Sequence, residues 1–298
     1  MSGLVDFHVH SNRSCDGDFS PEELVRMARD KGFRAISIAD HDTVAAYPDA
    51  LESGRKFGVE VIPGIEVTTL FDGREFHLLL PFVDHDSVAV REIIEGQTAC
   101  RTEEAKERVD KLIKLGFAIS WDEVRVKSNG VPPLGVKIAQ ILLENPENAR
   151  RESLEYFTRK ENRAAGPYLF YREYFTEGKP AHVPKKYIGL LDALGRAPET
   201  GGVPVLAHPG AYFQRTTRED AVALKKRGLA GLEVYTFYHT PEQVEFYRAM
   251  AEELDLVPTA GSDFHGKIKP HVSFGGIKEG GYWMVEKLRS ARASRNRT

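Results

Sequence analysis

His8-Val9-His10 places two imidazoles two residues apart. They lie in a stretch, Val5 to Gly17, that starts as a β-strand and ends as a polar loop. Side chains alternate faces along a strand, so the two rings point the same way. Two imidazoles on one face at a strand's end can grip a metal ion. Asp16, on the loop that follows, can serve the same ion or a neighbour. Further donors recur down the chain: His41, Glu66, His77, His208, Asp263 and His265. Each is expected at or near the C-terminal end of a strand. In parallel β/α barrels that end carries the active site, because the loops there converge on one opening. Six of the ten histidines fall in this set, which a scatter of ordinary core histidines would not produce.

Nine imidazole and carboxylate donors exceed what one ion uses, since a zinc site takes four or five. They suit two or three divalent ions, with zinc, manganese and iron all compatible with the donor types. Ions a few ångströms apart activate a water and clamp the oxygens of a displacement at phosphorus. Asp40, in Asp40-His41-Asp42, is a candidate to orient His41 from behind or to cap a strand end. Gly275-Gly276 and Gly280-Gly281 lack the spacing of a nucleotide-binding fingerprint.

The elements that must position these donors alternate between strand and helix. Ser20-Pro21-Glu22-Glu23 is a capping box with proline at the first helical position. Ala35–Ala39 reads as a buried strand, and strand–helix–strand is the signature of a parallel sheet. A second helix is expected over 43–57, disturbed by Pro48. The strand 59–68 is expected to end near Glu66. Asp72-Gly73 marks a hairpin turn to a returning strand carrying His77.

From residue 88 the character changes. One long charged helix is expected over 88–115, with further helices near 133–144 and 151–176. Residues 89–181 therefore read as an inserted helical cap, and 1–88 with 182–298 as the α/β domain. Basic and aromatic residues mix in the insertion: Arg150, Arg151, Arg159, Lys160, Arg163, Tyr168, Tyr171, Arg172 and Tyr174. They form either a solvated face or a cap reaching an anionic substrate. The strand–helix rhythm resumes with helices near 187–197, 219–227, 240–254 and 282–293. Strands 203–208, 231–235 and 257–265 lie between them. Arg289, Arg292, Arg295 and Arg297 are expected to form a solvated, frayed end.

The chain of 298 residues and 33.4 kDa has a net charge of -3, so no global basic field recommends nucleic acid as a bulk partner. Two cysteines, Cys15 and Cys100, are too few for a disulfide framework. Cys15 reads as a small buried thiol. No apolar run reaches the roughly 20 residues of a membrane span, and the N-terminus runs directly into a strand. A cytoplasmic enzyme with no obligate protein partner is expected.

His8-Val9-His10, Ala39-Asp40-His41-Asp42, Gly64-Ile65-Glu66, Leu206-Ala207-His208-Pro209 and Gly261-Ser262-Asp263-Phe264-His265 resemble, in order, the motifs of the PHP (polymerase and histidinol phosphatase) family. The resemblance covers roughly 1–86 and 180–270. It implies an α/β fold, a distorted (β/α)7 TIM-like barrel, here with an inserted helical cap, and a trinuclear metal site. By the same resemblance, His8, His10, Glu66 and Asp263 hold the first ion. Glu66 bridges to a second, also held by His77 and His208. Asp16, His41 and His265 hold the third.

The implied activity is that of a metal-dependent phosphoesterase in which a hydroxide bridging the ions attacks phosphorus, with Asp40, His41, His208 and Asp263 central to catalysis. Gly178–Pro184, Gly231–Tyr235 and His239 resemble stand-alone family members that act on 3',5'-nucleoside bisphosphates or short RNA 5' ends. Those members carry an Arg-Pro-His-x-Ala-Arg-like stretch that holds substrate phosphate. Here the corresponding run is Val131-Pro132-Pro133-Leu134-Gly135-Val136-Lys137, which keeps only Lys137 as a basic group. Arg13, Lys137, Arg172, Arg215 and His239 are the candidate phosphate or leaving-group contacts. The expected substrate is a small phosphate monoester such as a nucleotide or a short oligonucleotide end. An amide or lactone hydrolase of the amidohydrolase type is the alternative on the same ions, since activated water also attacks carbon. A scaffold that keeps ions for stability alone is a third reading, disfavoured by the complete donor set.

Overall fold

The computed structural model describes residues 3–14, 16–128, 131–211, 214–277 and 279–295. Cys15 and Arg297 lie outside them. The chain divides into two compact units, Met1–Glu95 with Ile188–Thr298, and Gly96–Tyr187.

The first unit opens with β1 (Leu4–Val9), α1 (Pro21–Asp30), β2 (Phe33–Ile38), α2 (Tyr47–Phe57) and β3 (Glu60–Val61). β1, β2 and β3 pair in that order, all parallel. Apart from Arg34, β2 is buried along its length, as strands covered on both faces are. Then come β4 (Glu66–Phe71) and β5 (Arg74–Leu79), joined by the Asp72-Gly73 turn, in which both residues have positive φ. α3 (Val88–Lys114) leads into the second unit.

In the second unit, α4 (Trp121–Lys127), α5 (Gly135–Glu144), α6 (Glu155–Thr158) and α7 (Gly166–Tyr174) pack with α3 around Val109, Leu112, Phe117, Ile138, Leu142, Phe157 and Phe170. The chain then returns through α8 (Leu190–Arg196), β6 (Val205–Leu206), α9 (Arg218–Lys226), β7 (Gly231–Tyr235), α10 (Pro241–Glu253), β8 (Val257–Ala260) and α11 (Trp283–Arg295).

The second sheet runs β4-β5-β6-β7-β8. β5 is antiparallel to both neighbours, whereas β6, β7 and β8 are parallel. Backbone bonds join the two sheets at two places. After β8, Asp263 N donates to His8 O at 2.7 Å and His10 N to Phe264 O at 2.9 Å. After β2, Asp42 N donates to Glu66 O at 2.9 Å and Glu66 N to Asp40 O at 3.2 Å.

Four local expectations are corrected. Glu66 does not end a strand but opens β4. Pro63 has no N–H to donate, and the Gly64 N–H goes to the Tyr47 hydroxyl at 2.6 Å, so the ladder is interrupted after β3. Pro48 does not disturb α2, because it sits in the first turn, where an N–H has no intrahelical acceptor. The helix expected over 151–176 is broken into a 3₁₀ turn (Glu152–Leu154), α6 and α7, with Gly166-Pro167 restarting the chain. The basic end is not frayed through Arg295: Arg289 pairs with Glu60, and Arg295 donates to Gly228 O at 2.5 Å. Among the described residues no helix is long and apolar enough to cross a membrane.

Candidate metal centre

The end of β1 is fixed before any ligand is considered. Asp6 Oδ1 accepts the backbone N–H groups of His8 and Ser262, both at 3.0 Å, tying β1 to the loop after β8. His8 and His10 are fully buried, with ring centroids 5.1 Å apart. The loop that carries Asp16 is folded back by Ser14, whose hydroxyl donates to Asp16 Oδ1 at 2.8 Å and also lies 3.1 Å from Ser11 O. His41 follows β2. His208 follows β6 and Asp263 follows β8, both with positive φ, at 24° and 57°. Such backbone is costly for a residue with a Cβ and persists where its surroundings over-determine it.

Glu66 is the hub. Its Oε2 lies 3.3 Å from His8 Nε2, 3.3 Å from His10 Nε2 and 2.9 Å from His41 Nδ1. Its Oε1 lies 2.8 Å from His77 Nδ1 and 3.2 Å from His208 Nε2. Asp263 Oδ1 faces His8 and His10 at 3.3 and 3.1 Å. Asp16 Oδ2 faces His265 Nε2 at 3.3 Å and His41 Nε2 at 3.5 Å.

The donors fall into three overlapping groups: His8, His10, Glu66 and Asp263; His10, Asp16, His41 and His265; and His41, Glu66 and His77. Within each, the ligand atoms lie within 4.8 Å of one another. His208 joins through Glu66. A further acidic group, Asp84, His85 and Asp86, lies mostly exposed and contributes nothing to this constellation.

The atoms facing inward are the ones a cation would satisfy. Among the described residues, His8 Nε2, both ring nitrogens of His10, His41 Nδ1, His265 Nε2 and Glu66 Oε2 are buried and make no hydrogen bond. Buried polar groups without partners are costly. The donor chemistry, imidazole with carboxylate, fits divalent transition metals.

Electrostatics agree. Burial resists charge on His8, but the carboxylates of Glu66, Glu233 and Asp263 outweigh it and hold the ring well above its usual pKa. His77 is likewise pushed up to about 9, burial being overcome by Glu66 and Glu75. His10 is pushed down to about 4 by burial and by neighbouring His265. Burial raises Glu66, but His41, His8 and His77 bring it well below the usual carboxylate range.

The remaining candidates are placed differently. Asp40 is taken up by Ser11, whose N–H and hydroxyl both reach it at 2.6 Å. It fixes the ligand loop rather than the His41 ring. Arg13 is half-exposed and paired with Asp49. Arg215 is exposed, with positive φ. His239 has both ring nitrogens engaged: Nδ1–H donates to Val234 O at 2.8 Å and Nε2 accepts Gly210 N–H at 2.9 Å. Its ring stacks on Tyr247. Lys137 Nζ reaches Gln140 at 3.3 Å, and Arg172 is exposed beside Glu173, both within the second unit.

Three groups behind the donors were not anticipated as site residues. Glu233 is fully buried, with Oε1 3.0 Å from His8 Nδ1 and Oε2 accepting the His208 N–H at 2.7 Å. Holding Nδ1 fixes the His8 tautomer and leaves Nε2 for an ion. Its signal was a lone carboxylate in the apolar strand Gly231–Tyr235. Tyr238 and Lys269 both bond Asp263 Oδ2, and neither carries a sequence signal.

The PHP domain model matches residues 6–157. The chain belongs to the PHP domain family. This PHP protein is 28% identical over 267 residues to a 5'-3' exoribonuclease of Haemophilus influenzae, covering 89% of this chain and 91% of the relative. It is 29% identical over 275 residues to a phosphoribosyl 1,2-cyclic phosphate 1,2-diphosphodiesterase of Eggerthella lenta, covering 91% and 98%. A crystal structure assigned as a metal-dependent phosphoesterase, from Bifidobacterium adolescentis, superposes with a TM-score of 0.78 at 26% identity, covering 98% of this chain and 97% of that one.

Proposed function

We propose that this PHP protein is a metal-dependent phosphoesterase that hydrolyses a phosphoric ester of a nucleotide or of a short RNA 5' end. The observation that carries the reading is Glu66. One buried carboxylate turns one oxygen to His8, His10 and His41 and the other to His77 and His208. A carboxylate so divided suits a bridge between two cations. His8, His10, Glu66 and Asp263 would hold one ion, and Glu66, His77 and His208 a second. Asp16, His41 and His265 would hold a third, giving two to three ions of zinc, manganese or iron.

Such ions supply an activated water and charge stabilisation at the phosphoryl oxygens. The chain's own groups set the frame. Glu233 fixes the His8 tautomer. Asp40 and Ser14 hold the loop that presents Asp16. His41, His208 and Asp263 deliver their donors from three different strand ends. The names of the two relatives, a nuclease acting from RNA 5' ends and a cyclic-phosphate diesterase, support phosphorus as the centre attacked. Arg13, paired at the surface with Asp49, and exposed Arg215 are the candidate basic groups of the first unit for a substrate phosphate. The strand order and the backbone bonds between the two sheets support a distorted (β/α)7 barrel over 1–88 and 182–298, into which 89–181 is inserted as a helical domain.

The test is phosphate release by metal-stripped protein reloaded separately with manganese, zinc or iron. The substrates are 3',5'-adenosine bisphosphate, a 5'-phosphorylated oligoribonucleotide, a sugar 1,2-cyclic phosphate and an aryl phosphate. Metal-dependent release that disappears in His8→Ala and Asp263→Ala is expected. Silence on every ester by fully loaded protein, with turnover of an amide or lactone, would overturn the proposal.

A further inference from the structure

Asp263 divides its carboxylate between two environments. Oδ1 faces the imidazoles of His8 and His10. Oδ2 turns away from them, to Lys269 Nζ at 2.6 Å and to the Tyr238 hydroxyl, which donates at 2.7 Å. Lys269 also donates to the Tyr238 oxygen at 2.9 Å, closing a three-group ring. The Tyr238 ring lies 5.2 Å from that of His208, so the ring of groups adjoins the donor cluster.

We propose that Lys269 and Tyr238 form a clamp that limits Asp263 to coordination through one oxygen, with Lys269 as a positioning residue of the metal centre. The inference rests on the metal-dependent reading given above. A carboxylate beside a divalent ion can bind through one oxygen or through both. Which it does depends on what else its second oxygen holds. Here that oxygen carries a charge-assisted bond from an ammonium as well as a hydroxyl bond, among the stronger arrangements a carboxylate can make. The contrast with Glu66 is informative, since both of its oxygens face imidazoles. One carboxylate is built to reach two ways and the other to reach one way. Coordination through a single oxygen keeps a position on the ion open, as catalytic sites require. The ammonium also withdraws charge from the carboxylate and moderates its grip on the ion. Without Lys269, Oδ2 keeps only the neutral bond from the Tyr238 hydroxyl, so it turns inward more readily, fills the open position and holds the ion more tightly.

The test uses the full chain loaded with cobalt(II), whose visible absorption weakens as its coordination number rises. Lys269→Met should keep its full metal content, show a weaker cobalt band and release metal to a chelator about tenfold more slowly. Its ester hydrolysis should fall about tenfold, the lower end of what outer partners of metal ligands contribute. Lys269→Arg should restore most of the wild-type behaviour. Tyr238→Phe, which keeps the ammonium, should shift the same readouts in the same direction by less, and it decides the matter if Lys269→Met does not fold. A Lys269→Met spectrum and release rate identical to wild type would overturn the proposal. So would equal loss of metal from Lys269→Met, Lys269→Arg and Tyr238→Phe, which marks a part of the scaffold. The spectrum and release rate need no substrate, so failure of the phosphoesterase reading would be seen separately, as silence of the wild-type protein on every ester.

Discussion

Replacing Glu233 by glutamine tests the centre where its geometry is most constrained. Glu233 presents two acceptor oxygens to two donors, His8 Nδ1–H and the His208 backbone N–H. Glutamine keeps the shape but offers one acceptor oxygen and one NH₂ group. If the NH₂ faces His208, a buried N–H loses its acceptor, at about 1–3 kcal/mol. If it faces His8, the ring must carry its proton on Nε2, the nitrogen beside Glu66 and Asp263, and it can no longer ligate an ion. Loss of an outer partner of this kind weakens metal binding by about 10- to 100-fold. Unfolding entropy of about 2.1 cal/mol/K per residue gives about 0.6 kcal/mol/K for this chain, so a loss of about 1–3 kcal/mol lowers Tm by about 2–5 °C. The assay is thermal melting of stripped protein, followed by manganese titration. A Glu233→Gln protein with wild-type Tm and wild-type metal affinity would refute the reasoning, since packing alone would then orient His8.

Gly261→Ala should phenocopy that loss, because its Cβ would collide with Glu233 Oε1; normal metal content in this variant would contradict the close approach. His239→Ala should lower Tm and change KM for phosphate esters less than about twofold, since both ring nitrogens are engaged by backbone; a large KM increase at unchanged Tm would assign it to substrate instead. In metal-free protein, burial pushes Asp40 up to about 7 from 3.8, against the pull of Ser11 and Ser14. A pKa raised on folding contributes stability that is full below 3.8 and lost as pH rises through about 7. The urea midpoint should therefore fall across that window, and Asp40→Asn should flatten the fall; an unchanged slope would remove Asp40 as its source.

The convergence of the donor side chains was legible in the sequence because most of them lie where a strand meets its loop. Alternation alone put His8 and His10 on one face, and the strand–helix rhythm placed His41, His208, Asp263 and His265 where chain segments leave the sheet. The capping box at Ser20 forms as its side chains require. The Asp72-Gly73 turn made the β4–β5 hairpin legible, and Glu66 was legible as a donor; the interruption after Val61 that makes Glu66 the first residue of β4 was not.

What only the tertiary structure decided is what stands behind the donors. Glu233 meets His8 across 225 residues of chain and Ser262 meets Asp6 across 256. Lys269 lies on a loop with no periodicity to mark it. Asp40, a candidate either to orient His41 or to cap a strand end, accepts the Ser11 N–H and hydroxyl, and His239, a candidate phosphate contact, holds backbone. The physical reason is common to all of these. A side chain's chemistry is local and is written in its identity. Which of its atoms remain available depends on the groups that folding brings against it, and those come from distant parts of the chain.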